Sequence, residues 1–236
     1  AMLNPFRRER SGDLKFQLVR AAIEGTHAAR EVLPTARFLH IDPLMHVAPR
    51  TSRRRERETV EQIRAFQYQS ADMLTGRAWG PQLGGAPDLV DVIGLNYYRD
   101  NQRFLDGEHV EGSDPRYRPL SEMLLEVSRR YGKPMIIAET GAEDDARAPW
   151  LRYVSVEVAK AMRAGCPVHG ITWYPILNHP GWADDRHVHN GLWDYADDAG
   201  RRDRHDPLAD EIARSTAPLN ELYTRAVLGR RGCARQ

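Results

Sequence analysis

The sequence predicts an α/β fold with a parallel sheet: a leading helix followed by four strand–helix units. Three observations lead there. Short apolar runs alternate with segments of helical period, the pattern of parallel strands joined by helical crossovers. The units are not near-copies of one another, so the chain is not a solenoid. The run Lys133-Pro-Met-Ile-Ile-Ala-Glu139-Thr-Gly141 is a wholly apolar strand that ends on one carboxylate and then turns on a glycine.

Residues 13–33 read as the leading helix, capped by Ser11 or Asp13, with Leu14, Leu18, Val19, Ala22 and Ile23 as its apolar stripe and Pro34 as its stop. Arg37 to Asp42 is the first strand, ended by Pro43. A single long helix is expected over 52–74, with Val60, Ile63, Phe66 and Met73 inward. Glycines and prolines over 80–87 mark a loop. The second strand spans Asp88 to Tyr98, and a polar loop with Gly107, Gly112 and Pro115 leads to a helix over 120–131. The third strand reaches Glu139, and Pro149 suits the first turn of a helix that ends near Ala164. Gly165-Cys-Pro167 breaks it, and Val168 to Tyr174 is the fourth strand. A long polar loop follows, then a final helix over 207–227. A complete (β/α)8 barrel takes eight strands and about 250 residues. Four strands, plus a helix that should have followed a strand of its own, are what a barrel cut at its midpoint would leave. The expected fold class is therefore α/β of the TIM-barrel type, four βα units preceded by a helix. Residues 1–229 form its single domain, and 230–236 form a disordered tail.

Composition narrows the function. A net charge of +1 gives no global pull toward nucleic acid or an anionic membrane. The one basic cluster, Arg53-Arg54-Arg55-Glu56-Arg57, reads as a solvated helix start. No apolar run approaches the roughly 20 residues of a membrane span. Cys166 and Cys233 are the only cysteines, so a reducing, cytoplasmic compartment is expected rather than a disulfide framework. Ala1 before Met2 reads as a tag remnant, and no signal-peptide run follows. No metal is expected: His187 and His189 could join Asp184 or Asp185, but loop histidines without a third well-spaced ligand read as exposed.

Glu139 is the leading candidate for chemistry. Desolvating a carboxylate within a buried strand costs several kcal/mol, whereas the C-terminal tip of a barrel strand is where enzymes of that fold keep reactive groups. Asn96 and Tyr98 are two apart on their strand and share a face. The bland alternatives are a Glu139–arginine ion pair, a packing role for the Asn96-Tyr-Tyr98 run and a core role for Trp173. Asp42 could be recruited as an acid, although Asp-Pro more often just stops a strand. Glu143, Asp144 and Asp145 read as a solvated loop.

An ordered set of motifs adds to this. Asp91-Val-Ile-Gly-Leu-Asn96-Tyr97-Tyr98 resembles the sixth strand of family-1 glycoside hydrolases, the β-glucosidase type. Ile136-Ile-Ala-Glu139-Thr-Gly141 resembles their seventh strand, and Gly170-Ile-Thr-Trp173-Tyr174 with Asn190-Gly-Leu-Trp-Asp194 their eighth strand and closing motif. Pro34-Thr-Ala-Arg-Phe-Leu-His40 fits the fifth strand and its approach. The resemblance implies strands 5–8 of the barrel and a retaining β-glycosidase with no cofactor. It makes Glu139 the nucleophile, Tyr98 its hydrogen-bond partner, Asn96 a sugar ligand, and Trp173 and Trp182 aromatic platforms for the sugar. Two segments depart from the family pattern: Ala-Glu-Thr-Gly stands where Thr-Glu-Asn-Gly is usual, and Trp-Tyr-Pro-Ile-Leu-Asn replaces Trp-Ser-x-x-Asp-Asn. The family's Asn-Glu-Pro acid/base motif has no counterpart, since Leu3-Asn4-Pro5 lacks the glutamate. This chain alone is therefore expected to be weakly active or inactive. The alternative is a non-catalytic half-barrel that self-assembles or binds carbohydrate. Open sheet edges imply a partner in either case, a second copy or a complementary half-barrel.

Overall fold

The computed structural model describes residues 8–181 and 184–233. α1 (Ser11–Val32) leads into β1 (Leu39–Pro43) and a short strand β2 (His46–Ala48). The expected long helix is two, α2 (Arg54–Phe66) and α3 (Gln69–Leu74). At the break, the Gln67 amide accepts from the Met45 N–H and donates to the Arg64 carbonyl. α4 (Gly80–Leu83) is a single turn within the glycine- and proline-rich loop. Then come β3 (Val92–Asn96), β4 (Gln102–Phe104), α5 (Leu120–Tyr131), β5 (Met135–Thr140), α6 (Arg147–Arg163) and β6 (Val168–Trp173). Two small antiparallel ribbons follow, β7 (His179–Pro180) with β8 (His187–Val188) and β9 (Trp193–Ala196) with β10 (Arg202–Arg204). α7 (Asp206–Cys233) runs past its expected end and past Arg230, where the tail was expected to begin, and residues 234–236 lie outside the described residues.

β1, β3, β5 and β6 form one sheet in that order, every pairing parallel. Strand order that follows chain order, with no reversal, puts successive right-handed crossovers on the same face. The packing agrees. Ile93, Leu95 and Tyr97 from β3 and the residues just after it, with Met135 and Ile137 from β5, are buried in one core. Leu120, Leu124 and Val127 of α5, Val154 and Val158 of α6, and Val19 and Ile23 of α1 complete it. The opposite face is apolar and only partly covered. Gly94 lies there against Leu39, Ile41 and Ala138, so close that a Cβ would sit 2.7 Å from Ile41. Leu39 and Ile41 remain 42% and 44% exposed on this face. His40 and Asp42 alternate with them, so Asp42 turns toward the helices, bonded to His40 Nε2 at 2.6 Å and to the Ser70 hydroxyl of α3. That removes Asp42 as a recruited acid. No helix among the described residues is long and apolar enough to cross a membrane.

β2 pairs in parallel with β4 beside the main sheet. His46 is buried there; its Nε2–H donates to the Arg116 carbonyl at 3.0 Å, and Nδ1 has no partner. Burial lowers its pKa from 6.5 to about 4. The unfolded chain therefore takes this proton near pH 6.5, while the folded chain resists it until about pH 4. Stability from this site is full above pH 6.5 and declines as pH falls toward 4, a loss of about 3 kcal/mol at most. Urea melts of native protein and His46→Gln between pH 7.5 and 4.5 check this; the native chain should show the steeper loss.

Candidate active site

A regular strand would have buried Glu139. Ile137 points into the helix-covered core, and strict alternation would send residue 139 the same way. Instead Leu95 pairs with Ile137 and the next residue, Asn96, pairs with Glu139, which leaves Ala138 as an extra residue in β5. This β-bulge turns Glu139 onto the open face beside Asn96, two residues on from Gly94. Thr140 then returns to the helix side, fully buried. Its hydroxyl donates to the Tyr97 carbonyl at 2.7 Å and accepts from Trp150 Nε1 at 2.8 Å, and the Trp150 ring stacks on Tyr97. The strand tip is thus anchored from behind while its carboxylate faces open space.

Glu139 lines a cleft of about 930 Å³ with Tyr98, Glu143, Tyr174, His179, Arg186 and Asn190. Tyr98 Oη donates to Glu139 Oε2 at 3.1 Å. Burial first, and the Glu139 charge second, raise the Tyr98 pKa, so this hydroxyl stays a donor. No guanidinium among the described residues comes within ion-pair distance of Glu139. Of the two arginines that line the cleft, Arg99 is bonded to Glu111, and Arg186 is bidentate to Glu143 at 2.7 and 3.1 Å. That bond holds Glu143 below the usual carboxylate range, so Glu143 is a poor proton donor near neutral pH.

The other expected site residues fall differently. Asn96 is beside Glu139 by register, with its Oδ1 buried and accepting no hydrogen bond among the described residues. Trp173 does not line the cleft. It borders a separate groove between β6, α6 and α7, and its indole N–H donates to the Asn190 carbonyl at 3.0 Å. Trp182 lies outside the described residues. His187 stacks on Tyr195, and His189 lies 3.4 Å from Asp194. Sequence reasoning missed the bulge, the Thr140–Tyr97–Trp150 anchor and Asn190. Only Asn190 had a signal, its place in the closing motif.

No family model matches the chain, and no curated protein matches it in sequence. Solved structures do match. A hyperthermophilic β-glucosidase mutant that forms a dodecamer in the crystal is 21% identical, with a TM-score of 0.64 over 86% of this chain and 49% of its own. The family 1 β-glucosidase of Thermotoga maritima is 16% identical, with a TM-score of 0.67 over 85% of this chain and 56% of its own. The β-glycosidase of Thermosphaera aggregans is 17% identical, with a TM-score of 0.66 over 92% and 52%. The fold is therefore that of part of a family-1-like glycosidase, and the chain spans about half the length of the structures it matches.

The Tyr98–Glu139 contact yields a titration. Removing the Glu139 charge removes one cause of the raised Tyr98 pKa but leaves burial in place. In Glu139→Gln the Tyr98 phenol should titrate at lower pH than in the native chain while staying above 10. Carbon-13 NMR of labelled tyrosines, with Tyr98→Phe to assign the signal, reads this directly.

Proposed function

We propose that this chain is the nucleophile-bearing half of a retaining β-glycosidase, corresponding to strands 5–8 of a (β/α)8 barrel. The observation that carries the reading is Glu139, turned by a bulge onto the open face, hydrogen-bonded by Tyr98 and free of an arginine partner among the described residues. A Glu139 oxygen would bond to the anomeric carbon as the bond to the leaving oxygen breaks, and that oxygen departs with the electron pair. Water would then cleave the glycosyl ester. The leaving oxygen needs a proton unless it is already a stable anion, and retaining enzymes take it from a second carboxyl about 5–5.5 Å away. Glu143 is the nearest carboxylate in the sequence to line the cleft, and its pairing with Arg186 unsuits it. The acid is expected to come from the part of the barrel this chain does not span.

The open edges bear on the partner. β1 and β6 each have one unpaired side, and the groove along β6, about 490 Å³, is lined by Ile171, Trp173, Leu219 and Tyr223. Exposed apolar edges of this kind call for a cover. A closed barrel has eight helical crossover positions for eight strands. α1, the α2–α3 pair, α5, α6 and α7 already give four strands five helical layers. Two copies would bring ten layers to eight positions, which favours a complementary half with three helices over a second copy of this chain.

A 2,4-dinitrophenyl β-glycoside tests the chemistry, because its phenolate leaves without protonation. This chain should hydrolyse it slowly and hydrolyse the methyl glycoside less well by more than the roughly 10²–10⁴-fold that a general acid contributes. Glu139→Ala should abolish the first rate, and azide should restore it by giving the α-glycosyl azide. Equal rates for native protein and Glu139→Ala would end the proposal.

A further inference from the structure

The segment after β8 is held with unusual thoroughness for a surface loop. The His189 carbonyl accepts the Asp144 N–H at 2.8 Å, and the Asn190 carbonyl accepts Trp173 Nε1 at 3.0 Å. The Gly191 N–H donates to Asn178 Oδ1 at 2.6 Å, and the Gly191 carbonyl accepts Arg147 Nη1 at 2.8 Å. Arg147 is itself buried, and its Nε donates to the Asp144 carbonyl at 2.9 Å. Position 191 admits only glycine, since a Cβ would lie 2.5 Å from the Asn178 nitrogen. Three successive peptides are thus fixed from β6, α6 and the loop after β5. What they present to the cleft is the Asn190 side chain.

That side chain is left incompletely bonded. His179 Nδ1 lies 2.7 Å from the Pro180 carbonyl and so carries the proton; its Nε2 is then an acceptor. Asn190 Nδ2 donates to it at a long 3.4 Å, which orients the amide and turns Oδ1 away. Oδ1 is buried and accepts no hydrogen bond among the described residues. A buried acceptor left without a donor destabilises the fold that holds it. Asn96 Oδ1 is in the same condition on the other side of β5. Two orphaned amide oxygens flank the strand that carries Glu139, one offered by β3 and one by the loop that follows β6 and β8. Asn190 lines the cleft and Asn96 adjoins Glu139 by register, so a donor-rich, neutral ligand that displaced their present cover would satisfy both, and a polyhydroxylated ring has hydroxyls to spare for two acceptors.

We infer that Asn190 is a sugar-binding residue, accepting a hydrogen bond from one ring hydroxyl opposite the one bound by Asn96. This rests on the reading of the cleft as a sugar site, not on Glu139 acting as a nucleophile. Sites built around a buried hydrogen-bonding group reject ligands that lack the matching hydroxyl, because the group is then left unpaired.

The test is equilibrium binding to the intact chain by ligand-observed NMR. The probes are methyl β-D-glucopyranoside and its four monodeoxy derivatives. Asn190→Ala should weaken the parent sugar about tenfold. One deoxy sugar should lose no further affinity in this variant, which identifies the hydroxyl. Asn190→Asp keeps an acceptor oxygen and should retain binding. Unchanged binding in Asn190→Ala, strictly additive losses for all four deoxy sugars, or no binding of any probe would each overturn the inference. Because the readout is affinity rather than turnover, a failed nucleophile and a failed Asn190 contact are told apart: Glu139 can prove inert while Asn190 still governs affinity, and the reverse.

Discussion

One extra residue in one strand governs how this molecule can act. β5 must bury Met135 and Ile137 against the helices, since they hold the centre of the core. A carboxylate two positions on from Ile137 would join them, and desolvating it there costs several kcal/mol. The bulge at Ala138 separates the two demands. The strand keeps its apolar residues inside, puts Glu139 on the open face, and resumes with Thr140 locked under Tyr97 and Trp150. Tyr98 then reaches Glu139 only because both now share that face. Bulges beside reactive groups re-aim a side chain in this manner.

Much of the fold was legible because its signals are periodic. α5 falls on the expected residues 120–131, and the four sheet strands fall within or one residue from their predicted spans. The departures have local causes. β2 and β4 are three residues each, too short for a period, and are defined by pairing with each other rather than by pattern. The long second helix divides at Gln67, where a side chain competes for backbone groups. At the site, strand-end position and spacing predicted that Glu139, Tyr98 and Asn96 lie near one another, and they do. Strict alternation could not have placed Glu139, because a bulge leaves no mark in composition. Trp173 borders the groove rather than the cleft, since an indole on an edge strand can face either side, and its N–H donates to the Asn190 carbonyl.

Among the described residues, β1 and β6 each leave one side of the sheet unpaired. On one face Leu39 and Ile41 of β1 stay exposed while Gly94 and Ala138 are buried, and the other face packs against the helices except along the groove beside β6. The solved structures that share this fold are about twice as long. Sugar recognition, nucleophile and acid need not reside in one stretch of chain.

The central claim is that Glu139 attacks an anomeric carbon. Intact-protein and peptide mass spectrometry after incubation with a 2,4-dinitrophenyl 2-deoxy-2-fluoro-β-glycoside tests it most directly, since the fluorine slows release of the glycosyl ester so that it accumulates. One fluoroglycosyl group on the peptide containing Glu139, absent in Glu139→Gln, is the predicted result. No adduct, or an adduct on any other residue, would contradict it.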